Sequence, residues 1–252
     1  MFCDAHIHIG QFYDIYTSAE ELVQNLSFVG IDCVAISSTS TCEENYEKVK
    51  KELKDFITLF AGLAFPVLWI TPKLLKNEIE MQKLLSCGIQ WAAIKVHPQL
   101  CPDEWDALGE NYKKTLVHAR ELKIPIIIHT GVVKNCHPLH LISLFNTYSE
   151  QTFIMAHGRP IDEAMFALGK CPNTLVDTAF MPIEDIAMLI NQGYSKRILW
   201  GSDYPIIKFY ERGIDGVKYY QDLICSLKAS IGKETYDLLT CHNVLDVFDN
   251  HN

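Results

Sequence analysis

Eight short runs rich in β-branched and apolar residues recur along the chain, and each leads into a longer amphipathic stretch. No other feature constrains the fold as strongly. The runs are FCDAHIH (2–8), DCVAISS (32–38), ITLFAGLA (57–64), WAAIKVH (91–97), PIIIHT (125–130), TFIMAH (152–157), TLVDTA (174–179) and RILWGSD (197–203). The segments between them, such as AEELVQNLSFVG and PIEDIAMLINQG, place apolar residues at helical spacing. Several open near a proline and several close on glycine, as helices do. After the eighth run, GVKYYQDLICSLKAS and KETYDLLTCHNVLDVF read as closing helices. Strict alternation of strand and helix implies a parallel sheet. Eight units in 252 residues have the size of a (β/α)8 TIM barrel, expected here as one α/β domain over 1–252. The competing fold is an open doubly wound sheet. Such sheets usually carry a glycine-rich phosphate loop after the first strand, and HIHIGQFYD has no G-x-G-x-x-G.

Composition narrows the function classes. A formal net charge of −9 disfavours nucleic acid, whose binding depends on neutralising phosphates. No apolar run approaches the roughly 20 residues of a membrane span, and the first residues do not read as a signal peptide. The nine cysteines are odd in number and scattered, with no C-x-x-C. That usage fits a reduced, cytoplasmic chain with cysteines as small core residues rather than a zinc ribbon.

The first run poses the functional question. His6 and His8 lie two apart, so an extended strand turns both to one face, with Asp4 alongside and Cys3, Ala5 and Ile7 opposite. In a barrel one of those faces is the interior. Two imidazoles side by side make a poor core unless backbone groups satisfy them or a cation takes their lone pairs. The H-x-H alone leaves both readings open. The other strand ends weigh for the cation: Lys95 and His97 close the fourth run, His129 the fifth, His157 the sixth and Asp203 the eighth, with Asp177 on the seventh. Active sites of barrels form at that end of the strands. Three histidines and an aspartate suit zinc, or iron or manganese in a more oxygen-rich site.

These stretches, DAHIHIG, AIKVHP, IIIHTG, FIMAHG and ILWGSDYP, resemble the metal-dependent amidohydrolase superfamily, and most of all its amidohydrolase-related (amidohydrolase 2) branch. That branch includes hydrolases and zinc decarboxylases of the aminocarboxymuconate-semialdehyde type. The motifs run from residue 4 to 205 in the family's order, and CHNVLDVF (241–248) resembles its C-terminal helix. The resemblance implies that His6, His8, His129 and Asp203 ligate a divalent metal, with Asp203 also taking a proton from water. It implies that His157 orients substrate, or ligates a second metal if there are two. TatD-like nucleases, a sister group, carry a bridging Glu where this chain has Lys95. Lys95 can bridge two metals as a carbamate, or stay a cation facing substrate beside a single metal, the form expected here.

The expected activity is metal-dependent hydrolysis of an amide, lactone or other ester in a small carboxylate-bearing molecule. Non-oxidative decarboxylation is the alternative, and a TatD-like nuclease and a non-catalytic metal-binding barrel are the less favoured readings. His97, Arg159 and Tyr204 are candidate substrate contacts. Asp177 could hold a ligand histidine. Asp4, His118, His242 and His251 read as structural or exposed, and His137 and His140 as rim residues. The family's barrels often form homodimers.

Overall fold

A computed structural model describes residues 1–249; His251 lies outside the described residues. Within them, nine strands form one sheet: β1 (Cys3–Phe12), β2 (Ile15–Thr17), β3 (Cys33–Ser38), β4 (Leu63–Ile70), β5 (Ala93–Val96), β6 (Ile126–His129), β7 (Phe153–Ala156), β8 (Thr174–Asp177) and β9 (Ile198–Leu199). The order is β2-β1-β3-β4-β5-β6-β7-β8-β9. All neighbours are parallel except β2, which folds back on β1 as a hairpin. The sheet closes on itself. Ala5 N–H donates to Trp200 O, Asp203 N–H to His6 O and His8 N–H to Tyr204 O, each at 2.8 Å, and Ile7 bridges Tyr204 in parallel. The result is the eight-stranded TIM barrel expected from the alternation, with one extra hairpin strand. No helix among the described residues is long and apolar enough to cross a membrane.

Seven of the eight runs become parallel strands near their expected positions, and the third does not. Residues 57–59 of ITLFAGLA finish the helix Tyr46–Leu59, and the strand is β4. The helix starts where Asn45 accepts from Lys48 N–H, and it buries Tyr46, Val49, Leu53 and Phe56 at helical spacing. Pro66 argues against a strand in sequence. In the barrel its missing N–H is harmless, and its carbonyl accepts from Ala92 N–H at 2.8 Å.

Two apolar layers follow from strand alternation. Inside the barrel, Cys3, Ala5, Cys33, Ala35, Phe65 and Val67 pack with Ile127, Ile154 and Leu199, and Phe248 of the last helix plugs the base. Ile7, Ile9, Ile36, Ile70, Ile94 and Ile128 face the surrounding helices. The first strand changes phase on the way up. Cys3 and Ala5 belong to the inner layer and Ile7 and Ile9 to the outer one, because the register with β3 shifts between Asp4 and Ile7. This irregularity corrects the face assignment made from simple alternation. Asp4 does not share the face of His6. It receives hydrogen bonds from Tyr220, on the helix Gly216–Ser230, and from Ser202. A bulge re-aims side chains in this way.

The last helix is tied to the foot of β9 by one side chain. Asn243 is buried and donates from Nδ2 to Ser195 O and Ile198 O, both at 2.7 Å. Asn243→Ala leaves two carbonyls without their donor, and urea unfolding is expected to show a loss of about 2–3 kcal/mol. A loss below about 0.5 kcal/mol would mean that the plug is held by its apolar contacts alone.

Candidate active site

The upper end of the barrel opens into a cavity of about 330 Å³ whose wall includes His8, Lys95, His97, His129, His157 and Asp203. Each arrives by a local rule. Lys95 and His129 continue the inward positions of β5 and β6 above Ala93 and Ile127. His157 and Asp203 lie just beyond strands, at φ +68° and +59°. Such left-handed backbone costs a non-glycine residue free energy and gathers at functional sites. Gly201 lets the eighth segment approach β1, since a Cβ there would lie 2.8 Å from the Cβ of His6.

The floor is a tight polar cluster. His8 Nε2 lies 3.2 Å from His6 Nε2 and 2.9 Å from Asp203 Oδ1, and His6 Nε2 lies 3.3 Å from the same oxygen. The Lys95 ammonium sits 2.7 Å from His6 Nε2 and 3.2 Å from His8 Nε2, over the Trp69 ring. Ligand atoms of His6, His157 and Asp203 all fall within 4.8 Å of one another, and all three residues are buried. The far side of each imidazole is held. His6 Nδ1 pairs with Asp177 Oδ2 at 2.9 Å, His8 Nδ1 with Ser37 Oγ at 2.9 Å, and His157 Nδ1 with Ala179 O at 3.1 Å. Asp177 also accepts from the backbone N–H of His157 and Ala179. The Asp177 carboxylate and the Ala179 carbonyl can only accept, so they select the tautomers of neutral His6 and His157 that offer the inner nitrogen, as around bound metals, while the Ser37 hydroxyl fixes the orientation of the His8 ring.

Electrostatics follow from burial. Desolvation, aided by Lys95, pushes His8 down to about 3, and desolvation pushes His157 down to about 4 against the pull of Asp203. His97 and His129 are also driven well below the usual histidine range, first by burial and then by neighbouring charges. Burial would raise the Asp203 carboxyl, but the facing imidazoles of His6 and His8 hold it far below the ordinary range. Burial lowers the Lys95 ammonium, while Asp203 and Asp177 oppose the change. Neutral imidazole nitrogens and an ionised carboxylate converge where an ammonium already sits. This donor set fits a divalent cation.

The named candidates are not all brought together. His6, His8, Asp203, His157 and Lys95 form the cluster. His129 stands one step outside it: its Nε2 pairs with Gln99 Oε1 at 2.9 Å and its Nδ1 has no partner among the described residues. His97 stacks between Trp69 and His129, at ring distances of 5.5 and 3.7 Å. Arg159 reaches the cavity and donates to Thr130 O, with no carboxylate paired to it among the described residues. Tyr204 is a correction. Asp203 points inward, so its neighbour turns outward; Tyr204 is 1% exposed, stacks on Tyr220 and accepts from Asn25. It packs the barrel wall and does not contact the cavity. Asp177 does hold a cluster histidine, while His137, paired with Glu163, lies in the loop after β6. With Nδ1 donating to Ala179 O, a neutral His157 has no N–H left to offer an oxyanion.

Sequence reasoning missed Trp69, Ser37, Gln99, Phe12, Phe180 and Tyr210. Trp69 was hidden by the misplaced third strand. Phe180 lies in a turn after β8 and Tyr210 ends the short helix Ile207–Tyr210, so strand periodicity aims neither side chain.

A family model described as Amidohydrolase matches residues 3–224. Solved structures share the fold at low identity. An uncharacterized TIM-barrel protein from Bordetella bronchiseptica superposes with a TM-score of 0.73 at 15% identity, covering 99% of each chain. A probable 2-pyrone-4,6-dicarboxylic acid hydrolase from Acinetobacter baumannii, with citric acid bound, gives 0.70 at 12%, covering 98% of this chain and 99% of its own. An amidohydrolase from Burkholderia multivorans with bound zinc gives 0.68 at 10%, covering 99% of each. No curated protein matches the chain in sequence.

Four buried histidines, His8, His97, His129 and His157, make stability depend on pH in a definite direction. Their folded pKa values lie below the unfolded value of roughly 6.5, so below that pH the unfolded chain binds protons that the folded chain refuses. Stability of chelator-treated protein is therefore expected to fall as pH drops from 6.5 toward 4. Each of His8, His97, His129 and His157 contributes about 1.4 kcal/mol per pH unit where the two states differ by one proton. Urea unfolding across that window checks it; a flat profile would contradict a neutral, dry cluster.

Proposed function

Because the chain belongs to the amidohydrolase family, we propose that it is a metal-dependent hydrolase cleaving an amide, lactone or other ester of a small carboxylate-bearing molecule. One observation carries the reading: the inner nitrogens of His6 and His8 and the Asp203 carboxylate meet within 3.3 Å, with the imidazoles' outer nitrogens already engaged. In this reading His6, His8, His157 and Asp203 hold one divalent cation, zinc by the donor set, and His129 flanks it. A cation held there would supply Lewis acidity and bring the pKa of a water near neutral.

The chain's own groups complete the chemistry. Asp203, ionised at all working pH values, accepts the proton of the attacking water and returns it to the leaving group. Lys95 is the cation nearest the cluster. Its Nζ–H groups now face the His6 and His8 nitrogens; were those nitrogens to hold a metal, the ammonium would be free to face developing negative charge. Arg159, with no carboxylate paired to it among the described residues, pairs with the substrate's carboxylate, and its planar fork suits that partner. Trp69, Phe180 and Tyr210 wall the cavity and limit water.

Metal analysis of protein purified without chelators is expected to find one equivalent per chain, with Lys95 unmodified in an intact-mass measurement. Two equivalents with a carbamylated Lys95 would replace the one-ion reading, and no metal after reconstitution would remove it. Against a panel of carboxylate-bearing lactones and amides, Asp203→Asn is expected to lower turnover about 10²–10⁴-fold with the fold retained. Carbon dioxide among the products would show decarboxylation instead.

A further inference from the structure

The carboxylate of Glu52 is a polar group that the proposed chemistry does not use. It belongs to the helix Tyr46–Leu59 and is 4% exposed, with no ion-pair partner among the described residues. A buried carboxylate without a counter-charge costs stability, and burial pushes its pKa above the ordinary range while the two serine hydroxyls pull it back. Departures of this kind are expected where they serve a site.

Both oxygens are engaged. Ser38 Oγ donates to Oε2 at 2.6 Å and Ser40 Oγ to Oε1 at 2.9 Å. The hydroxyls in turn receive backbone donors: Ser38 Oγ accepts from Ser40 N–H at 3.2 Å, and Ser40 Oγ from Gln11 N–H at 3.1 Å. Gly10 makes the approach possible. Its φ is +95°, and a Cβ there would lie 2.4 Å from Glu52 Oε2. The carboxylate therefore rests on the β1 backbone two residues beyond His8. It grips the exits of two neighbouring strands, β1 at Gly10–Gln11 and β3 at Ser38–Ser40.

Those exits carry the site. His8 stands opposite Ser37 in the ladder, with Ser37 Oγ on His8 Nδ1. Thr39 donates to Ile9 O at 2.9 Å and lines the cavity, as does Phe12. The β1–β3 register shifts between Asp4 and Ile7 and resumes at Ile7–Ile36, His8–Ser37 and Ile9–Ser38, so this short upper stretch of ladder runs directly into the exits that Glu52 joins.

We infer that Glu52 is a positioning residue that locks the exits of β1 and β3, keeping Ser37 on His8 Nδ1 so that His8 presents Nε2 to the site. The inference rests on the reading of His8 as a metal ligand.

The test uses cobalt(II) as the probe, with the full chain, reading affinity by chelator competition and coordination by the visible absorption band. Glu52→Gln keeps the size of the side chain but turns one acceptor into a donor. It is expected to weaken cobalt binding roughly tenfold, in the range seen when groups behind a metal ligand are removed, and to shift the band as Ser37→Ala does. Asn243→Ala, which loosens the opposite pole, is expected to bind cobalt like the wild type, and this separates positioning from general destabilisation. If Glu52→Gln does not fold, Ser38→Ala and Ser40→Ala remove the partners of Glu52 and carry the same expectation. Wild-type affinity and band in the Glu52 or serine variants, with Ser37→Ala weakened, would overturn the role of Glu52. Unchanged binding in Ser37→Ala would overturn the route through His8. No cobalt binding by the wild type would overturn the metal reading, and this inference with it.

Discussion

The parallel hydrogen bonds between β1 and residues 200–204 are the constraint on which the rest of the molecule depends. They close the barrel, and they bring Asp203 to His6 and His8 from the other end of the chain. Two of the three 2.8 Å bonds use the backbone of the histidines themselves. Closure of the fold and assembly of the site are thus one event. Below that seam Asp4 reinforces it, accepting from both His6 N–H and Ser202 N–H. Above it, the left-handed backbone at Asp203 turns the carboxylate onto the imidazoles.

Burial then gives the cluster its chemistry. Imidazoles that would titrate near neutral pH in water are kept neutral by the dry interior, and the carboxylate is kept ionised by its neighbours. Neutral nitrogens aimed at one point repel one another unless a cation lies between them, and the Lys95 ammonium takes that place here. The low dielectric that makes such a cluster costly also strengthens any charge it binds. Asp177 illustrates the economy of the arrangement: one oxygen holds the His6 ring and the other holds the backbone that presents His157.

Much of this was legible in the residues. Period-two apolar runs alternating with period-3.6 segments carry fold class directly, because each pattern buries one face in only one kind of element. Ionisable residues at the ends of such runs marked one end of the barrel as the site. The third strand was misread because Ile57 and Leu59 suit a helix as well as a strand, and the choice lay with the Asn45 cap and with packing around Phe56. Asp4 was assigned to the wrong face because a bulge leaves no trace in a period-two pattern.

The barrel, its polarity and the residue types gathered at its mouth follow from local periodicity and from side-chain chemistry, and so can be read along the chain. Tertiary structure alone decided which of those residues meet. It placed His157 rather than His129 in the cluster, turned Tyr204 out against Tyr220, and set the Glu52 carboxylate against Gly10. Such contacts join residues tens to hundreds of positions apart, and their geometry depends on backbone angles, bulges and register. Those are fixed only once every neighbouring strand is in place.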